Sequence, residues 1–130
     1  MSEENVEMVR ETLKSFERGE IDASWAKNAR LSAPEGWPDQ GPFVGREAIR
    51  RQFERLASDW SRHVLSDVEI VSAKGDWVVI AFRWETQGAA SGLETTFDVA
   101  AAYRIEDRAF AEAHFRWNRE DALEAAGLSE

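Results

Sequence analysis

The side chains best suited to acid–base chemistry lie near the end of the chain. His114 is flanked at two-residue spacing by Glu112 and Arg116. An imidazole titrates near neutral pH, and a carboxylate beside it would orient the ring, so this spacing is typical of a general base. The same spacing also fits an exposed or dimer-facing polar network without a catalytic role.

Tyr103 and Asp39 are the other candidate acids or bases. Tyr103 is the only tyrosine and falls on an apolar face, where a ligand or a backbone carbonyl could partner its hydroxyl. Asp39 lies in a proline-rich loop and could reach over a pocket mouth, although an aspartate beside Pro38 also suits an ordinary turn. His63 is interpreted as a cation at the C-terminal end of a helix.

Metal and cofactor sites are not indicated. The chain has two histidines, far apart, and no cysteine, so the spacing of metal ligands is missing and we expect no metal. We also find no Ser-His-Asp order and no glycine-rich loop able to cradle a phosphate, and we expect no cofactor.

Two predicted strands, 93–105 and 109–118, must position these candidates. Side chains on a strand point alternately to opposite faces, so one set lines an interior and the other leaves it. The outward set contains Asp98, Phe110, Glu112 and His114. The set predicted to face inward is almost entirely apolar: Phe97, Val99, Ala101, Tyr103, Ile105, Ala111, Ala113, Phe115 and Trp117.

The rest of the chain predicts helices followed by hairpin-linked strands. Helices are expected at 3–18, 23–29 and 46–62, a closing helix at 119–126, and strands at 64–73 and 77–87. The segment 32–45 holds all three prolines and is expected to be a stiff loop whose Trp37 folds back as a lid. This order predicts a single α+β domain, 1–130, with a cone-shaped, curved antiparallel sheet packed on helices.

A cone of this kind predicts a mostly apolar pocket for a small apolar or aromatic molecule. Such an aromatic set is also typical of an ordinary core. The residues expected to contact the ligand are Phe16, Trp37, Phe53, Trp60, Trp84, Phe97, Tyr103, Phe115 and Trp117.

The net charge and the N-terminal sequence limit the classes of partner and the cellular location that we expect. The net charge of −9 argues against nucleic acid and against an anionic membrane. The acidic N-terminus has no apolar signal core, so we expect a cytoplasmic protein. We expect a homodimer through the outer sheet face, where small residues would let a second sheet approach closely (Ala81, Ala100 and Ala102, beside Arg83, Asp98, His114 and Arg116).

Several segments resemble one known family. They are the helix start Ser2-Glu3-Glu4-Asn5-Val6, the turn at 33–36, the helix entry at 45–51 and the tail at 118–128. In this order they are similar to SnoaL-like proteins of the nuclear transport factor 2-like superfamily. The resemblance implies a cone-shaped α+β barrel, often dimeric, with a pocket for small apolar molecules. Relatives include polyketide cyclases, ketosteroid isomerases and limonene-epoxide hydrolases.

The resemblance does not carry over the catalytic residues of those enzymes. The cyclases' histidine and aspartate positions fall on Ala101 and Phe115, and the isomerases' aspartate base falls on Ala33. Three hypotheses follow. The chain is a small-molecule-binding protein of unassigned reaction, a divergent isomerase or cyclase with a relocated acid or base, or a structural or dimerisation module with a filled core.

Overall fold

A computed structural model describes residues 2–18, 25–37, 41–88 and 90–128. Within them the strands form one sheet in the order β2-β1-β6-β5-β4-β3. The sheet is curved and does not close, and helices pack against it, so the fold is the predicted α+β class. The elements are α1 Ser2–Glu17, β1 Trp25–Ser32, β2 Phe43–Val44, α2 Arg46–Asp59, β3 Trp60–Lys74, β4 Trp77–Gly88, β5 Glu94–Glu106, β6 Ala109–Arg116 and α3 Arg119–Ala125.

One pairing departs from the predicted antiparallel sheet. β3 to β6 are joined by hairpins and pair antiparallel, as expected. β1 pairs parallel with β6, with Leu31 opposite Ala113 and Ser32 opposite His114. The sheet is therefore mixed, because this one pair is parallel and the others are antiparallel.

The sheet has an inner face toward α1 and α2 and an outer face toward α3. Val9, Leu13 and Phe16 of α1 form the predicted buried stripe, and Ile49 and Phe53 of α2 join it. Helix α2 ends at Asp59, earlier than the predicted 62, and the chain continues directly into the long strand β3.

The predicted second helix, 23–29, is wrong. Residues from Trp25 onward form β1, in which Trp25, Ala29 and Leu31 are buried. The burial of Trp25 was expected, and its indole Nε1 donates to Thr12 Oγ1 of α1 at 3.1 Å. Pairing with β6 and β2 on its two sides outweighs the local helical preference of this segment.

Strand parity is confirmed for β5 and for the second half of β6. Val99, Tyr103 and Phe115 are buried in the inner core, whereas His114 lies on the outer face. Phe110 is an exception, because it is fully buried in the inner core although it was predicted to face outward. The register shifts at this point, with Arg104 opposite Glu112 but Ile105 opposite Phe110. The extra residue, Ala111, reverses the alternation.

The outer face is partly covered by the chain itself. Ala122, Leu123 and Ala126 of the C-terminal segment pack on Ala100 and Ala102, which are buried. The prediction that these two alanines leave room for a second sheet is therefore wrong, because α3 occupies that space. Helices therefore lie on both faces of the sheet.

Candidate functional site

A connected set of aromatic rings fills the inner face from the sheet to the two long helices. Phe16 lies at its centre, with its ring centroid 5.0 Å from Phe53 and 5.6 Å from Trp84. Tyr103 contacts Phe115 with centroids 6.1 Å apart. We call this set the aromatic cluster; its members are Phe16, Trp37, Phe53, Trp84, Phe97, Tyr103, Phe115 and Trp117. The structure thus brings together every residue predicted to contact a ligand except Trp60, whose side chain lies outside the described part.

The deep members of the cluster are core residues. The cluster's side chains that are at most 4% exposed are those of Phe16, Phe53, Trp84, Tyr103 and Phe115. Each of them contacts at least two other rings, in edge-on or tilted arrangements that aromatic side chains favour. In this conformation the protein's own rings occupy the space in which a ligand was predicted.

Three members form a rim that solvent can reach. Trp117 is 38% exposed, and Trp37 and Phe97 are half-buried. The centroid of Trp37 lies 5.6 Å from Trp84 and 6.3 Å from Trp117, and Phe97 lies 5.9 Å from Trp117. We call Trp37, Phe97 and Trp117 the aromatic rim.

The turn at 33–37 places Trp37 over the cluster. Gly36 has φ +100, which side-chain-bearing residues rarely adopt, so glycine permits the tight turn there. The Trp117 Nε1 donates to the Glu35 carbonyl at 2.6 Å and ties this turn to the end of β6. Trp37 folds back on the body, as expected of a lid residue. Asp39, in the same predicted loop, lies outside the described residues.

His63 borders the cluster on β3. Its Nδ1 accepts from Trp84 Nε1 at 3.3 Å, and its ring packs edge-on against Phe16 with centroids 5.5 Å apart. Burial lowers the pKa of His63, and the nearby Glu17 carboxylate offsets only part of this effect. The neutral ring is therefore favoured, and its proton belongs on Nε2 because Nδ1 accepts.

Sequence reasoning missed His63 because it extended α2 to residue 62. The interpretation of His63 as a helix cap is wrong, since the residue pairs with Thr86 in the β3–β4 ladder. Thr86 and Trp84 share the inner face, and their partners across the β3–β4 pair, His63 and Leu65, lie on that face too. The register shift between Trp60 and Arg62 hides this placement from a count of alternation that starts at Trp60.

The predicted pair of His114 and Glu112 exists, on the outer face. His114 Nε2 lies 2.9 Å from Glu112 Oε1, and Arg104 Nε donates to Glu112 Oε2 at 2.5 Å. Burial raises the pKa of Glu112, but hydrogen bonds from His114 and Arg104 and the positive charge of Arg104 outweigh it and hold the pKa below its usual range. The sheet separates this pair from the aromatic cluster, so His114 cannot serve as a base there.

An open groove of about 750 Å³ also lies on the outer side, next to the start of α3. Its lining is largely charged, in contrast to the apolar pocket predicted between helices and sheet. Arg83 and Asp98 face it with an ion-pair distance of 3.5 Å, and Arg119 binds Glu69 through two short contacts of 2.6 and 2.7 Å. Trp117 lines both this groove and the aromatic rim.

Among the described residues, no three histidine, aspartate or glutamate side chains are placed to hold a metal ion. None of the helices in the described ranges is both long and apolar enough to cross a membrane.

Solved structures with the same fold include a putative polyketide cyclase from Xanthomonas campestris pv. campestris. It is 16% identical, the match covers 92% of this chain and 94% of that one, and the TM-score is 0.77. A protein from a soil-derived mobile gene cassette, Bal32a, is 21% identical, with 95% and 96% coverage and a TM-score of 0.76. TerC, co-crystallised with polyporic acid, is 17% identical, with 93% and 98% coverage and a TM-score of 0.76.

A comparison with curated proteins found no match. The model of the SnoaL-like domain matches residues 6–113, which include α1 from its fifth residue onward, α2, and the strands from β1 to the middle of β6. This range carries the whole aromatic cluster except Phe115 and Trp117. The chain belongs to the SnoaL-like family and has the fold of nuclear transport factor 2-like proteins.

Proposed function

We propose that the protein binds a small, flat, mostly apolar molecule at the aromatic rim. The observation that carries this proposal is the partial exposure of the large rings of Trp37, Phe97 and Trp117 around the buried Trp84. Exposed aromatic surface gathered in one place is typical of a binding site, whereas scattered apolar residues are not.

The turn that carries Trp37 supplies a means of entry. Trp37 contacts Trp84 and Phe115 below it and is attached through a short turn rather than a helix or strand. A planar ligand that slid between Trp37 and Trp84 would replace their contact with contacts to its own two faces. The gain in free energy comes from the ligand's own apolar surface and from the exposed parts of the rim rings, and full burial of one large side chain contributes about 1.5–3 kcal/mol.

The family and its neighbours support the class of ligand. The solved structures of this fold include a putative polyketide cyclase and a protein co-crystallised with polyporic acid. Polyporic acid is therefore the first compound to test, followed by flat aromatic hydrocarbons, ketones and phenols.

The experiment is calorimetric titration with polyporic acid and this panel, together with thermal unfolding. Binding to the native state raises the unfolding temperature. Trp37→Ala and Trp117→Ala should each weaken binding roughly tenfold to a hundredfold, as expected for the loss of one ring contact. Trp77→Phe is the matched control, because Trp77 packs on the outer face.

A panel without any binder would contradict the proposal and favour the third hypothesis, in which the aromatic cluster is only a filled core. The proposal would also fail if binding were retained in both rim variants but lost in the Trp77 variant.

We propose further that a second copy packs in the charged groove beside α3. Arg83 lies between Asp98 and Asp67, at 3.5 and 3.6 Å, and alternating charges of this kind can set the register of an interface. Light scattering should show a dimer that Arg83→Glu dissociates. A monomer at all concentrations would remove this proposal and leave ligand binding untouched.

A further inference from the structure

A chain of hydrogen bonds joins β1 and β6 on the outer face. Ser32 Oγ lies 2.7 Å from His114 Nδ1, and His114 Nε2 lies 2.9 Å from Glu112 Oε1. Ser32 and His114 are opposite one another in the parallel β1–β6 pair, so the strand register itself holds the hydroxyl against the ring.

The two hydrogen-bond partners of His114 determine which nitrogen of its neutral imidazole carries the proton. Glu112 is an ionised acceptor held by Arg104, so His114 Nε2 must carry the proton. Nδ1 then has a lone pair, and the Ser32 hydroxyl donates to it. The hydrogen bonds therefore run from the hydroxyl of Ser32 to His114 and from His114 to Glu112. A nucleophile, its general base and an orienting carboxylate are linked in the same way.

A cation lies at the same hydroxyl. Arg116 Nη1 donates to Ser32 Oγ at 2.9 Å and to the carbonyl of Phe115 at 2.8 Å, which fixes the guanidinium against β6. Positive charge at this distance favours negative charge on Oγ, and it could also stabilise the oxyanion of a substrate carbonyl.

The arrangement is open to solvent on one side. The side chains of His114 and Glu112 are 19% and 27% exposed, and Ser32 is half-buried. Arg116 also lines a cleft of about 220 Å³ with Asp121, Glu124 and Ala125 of α3. A small molecule can therefore approach Arg116 from the side of α3.

We propose that Ser32, His114 and Glu112 form a reactive serine site that takes the acyl group of small esters. The site lies on the opposite face of the sheet from the aromatic rim and is independent of the function proposed there. The arrangement leaves no local motif in the sequence, because the serine and the histidine are 82 residues apart.

The reaction balances without any further reagent. Ser32 Oγ attacks the carbonyl carbon while its proton passes to His114 Nδ1, giving a tetrahedral intermediate whose oxyanion faces Arg116. The intermediate expels the alkoxide, which takes the proton from His114, and the acyl group remains on Ser32. Water then repeats the sequence, releasing the carboxylic acid and restoring the hydroxyl. Glu112 acts as a positioning residue, since its carboxylate accepts from the ring of His114 and from Arg104 and acts on Ser32 through that ring.

The test uses the full chain and a fluorophosphonate probe. The Ser32 hydroxyl displaces fluoride from phosphorus, HF is lost and the phosphonyl group stays on Oγ, so that intact-mass and peptide spectra report the label. The hydroxyl of Ser66 donates directly to the Glu85 carboxylate at 2.9 Å rather than to an imidazole. Ser66 is therefore an internal control for a serine next to a carboxylate alone. Ser32 should label at least about 100-fold faster than Ser66, the usual contribution of a general base.

Variants separate this role from a structural one. Ser32→Ala should abolish the label, and His114→Gln should slow labelling about 100-fold. Glu112→Gln should slow it as well, with partial recovery in Glu112→Asp, while Ser66→Ala leaves the rate unchanged. A cooperative thermal unfolding transition for each variant is the check that the variant is folded.

Equal labelling of Ser32 and Ser66 in the wild type, or no label at Ser32, would overturn the proposal whether or not the variants fold. So would fast labelling of Ser32 in a folded His114→Gln variant, because the hydroxyl would then react without its base.

Discussion

The indole N–H of Trp84 donates to Nδ1 of His63 across the β3–β4 pair, at 3.3 Å. Both side chains lie on the inner face, against Phe16. The bond requires an imidazole whose Nδ1 carries no proton. The half-buried ring of His63 is thus held in its neutral form by a neighbour and by desolvation together.

This relationship predicts a dependence of stability on pH. Because the pKa of His63 is lowered in the folded state, the unfolded state binds the proton first as the pH falls. The contribution of the neutral ring is complete above the ordinary histidine pKa of about 6.5 and is lost as the pH falls from there through the lowered value. Thermal unfolding between pH 8 and pH 5 should therefore show a loss of stability that is smaller in His63→Gln.

The chain has only two histidines, so His114→Gln serves as the comparison in the same pH range. An identical pH profile for the wild type and His63→Gln would contradict this prediction and would mean that the ring is solvated in the folded protein.

A second prediction concerns the bond between Trp25 and Thr12. Thr12 is 4% exposed and Trp25 is 1% exposed, so removing either partner leaves a buried polar group without this bond. A net contribution of about 0.5–1.5 kcal/mol is typical. Urea unfolding of Trp25→Phe, Thr12→Val and the double variant should give a coupling energy of that size, because Thr→Val keeps the shape but loses the hydroxyl. Additive effects would show that the bond contributes nothing.

The parts of this fold that the sequence predicts are those in which neighbours in space are neighbours in the chain. β4 and β5 are paired through a hairpin, and the alternation of their large side chains places Trp84, Phe97 and Tyr103 on one face. The aromatic cluster follows from that parity together with the stripe of α1 that contains Phe16.

The missed features depend on distant partners or on single residues. β1 is a strand because it pairs with β6, and no residue near Trp25 in the sequence indicates that pairing. Ala111 reverses the alternation without any change in composition. The buried Ala100 and Ala102 did leave a signal, since apolar residues on an outward face imply a cover, but the cover proved to be α3 and not a second chain.

The bulge at Ala111 can be tested through Phe110. Because Phe110 is fully buried against Trp25 and Tyr103, Phe110→Ala should destabilise the protein by about 3–5 kcal/mol. Leu93 is 69% exposed, and Leu93→Ala should change stability by less than about 0.5 kcal/mol. Denaturant unfolding measures both. Similar small effects for the two variants would place Phe110 on the outside and return β6 to regular alternation.

Asn118 precedes α3 and caps its N-terminus, because its Oδ1 accepts from the backbone N–H of Asp121 at 2.8 Å. Asn118→Ala should therefore cost about 1 kcal/mol in urea unfolding, whereas Asn118→Asp keeps an acceptor and should cost little. If α3 stabilises the sheet by covering Ala100 and Ala102, Leu123→Ala should cost about 2 kcal/mol or more, because Leu123 packs on them. A small effect of Leu123→Ala beside a normal effect of the cap would show a formed helix that is only loosely docked.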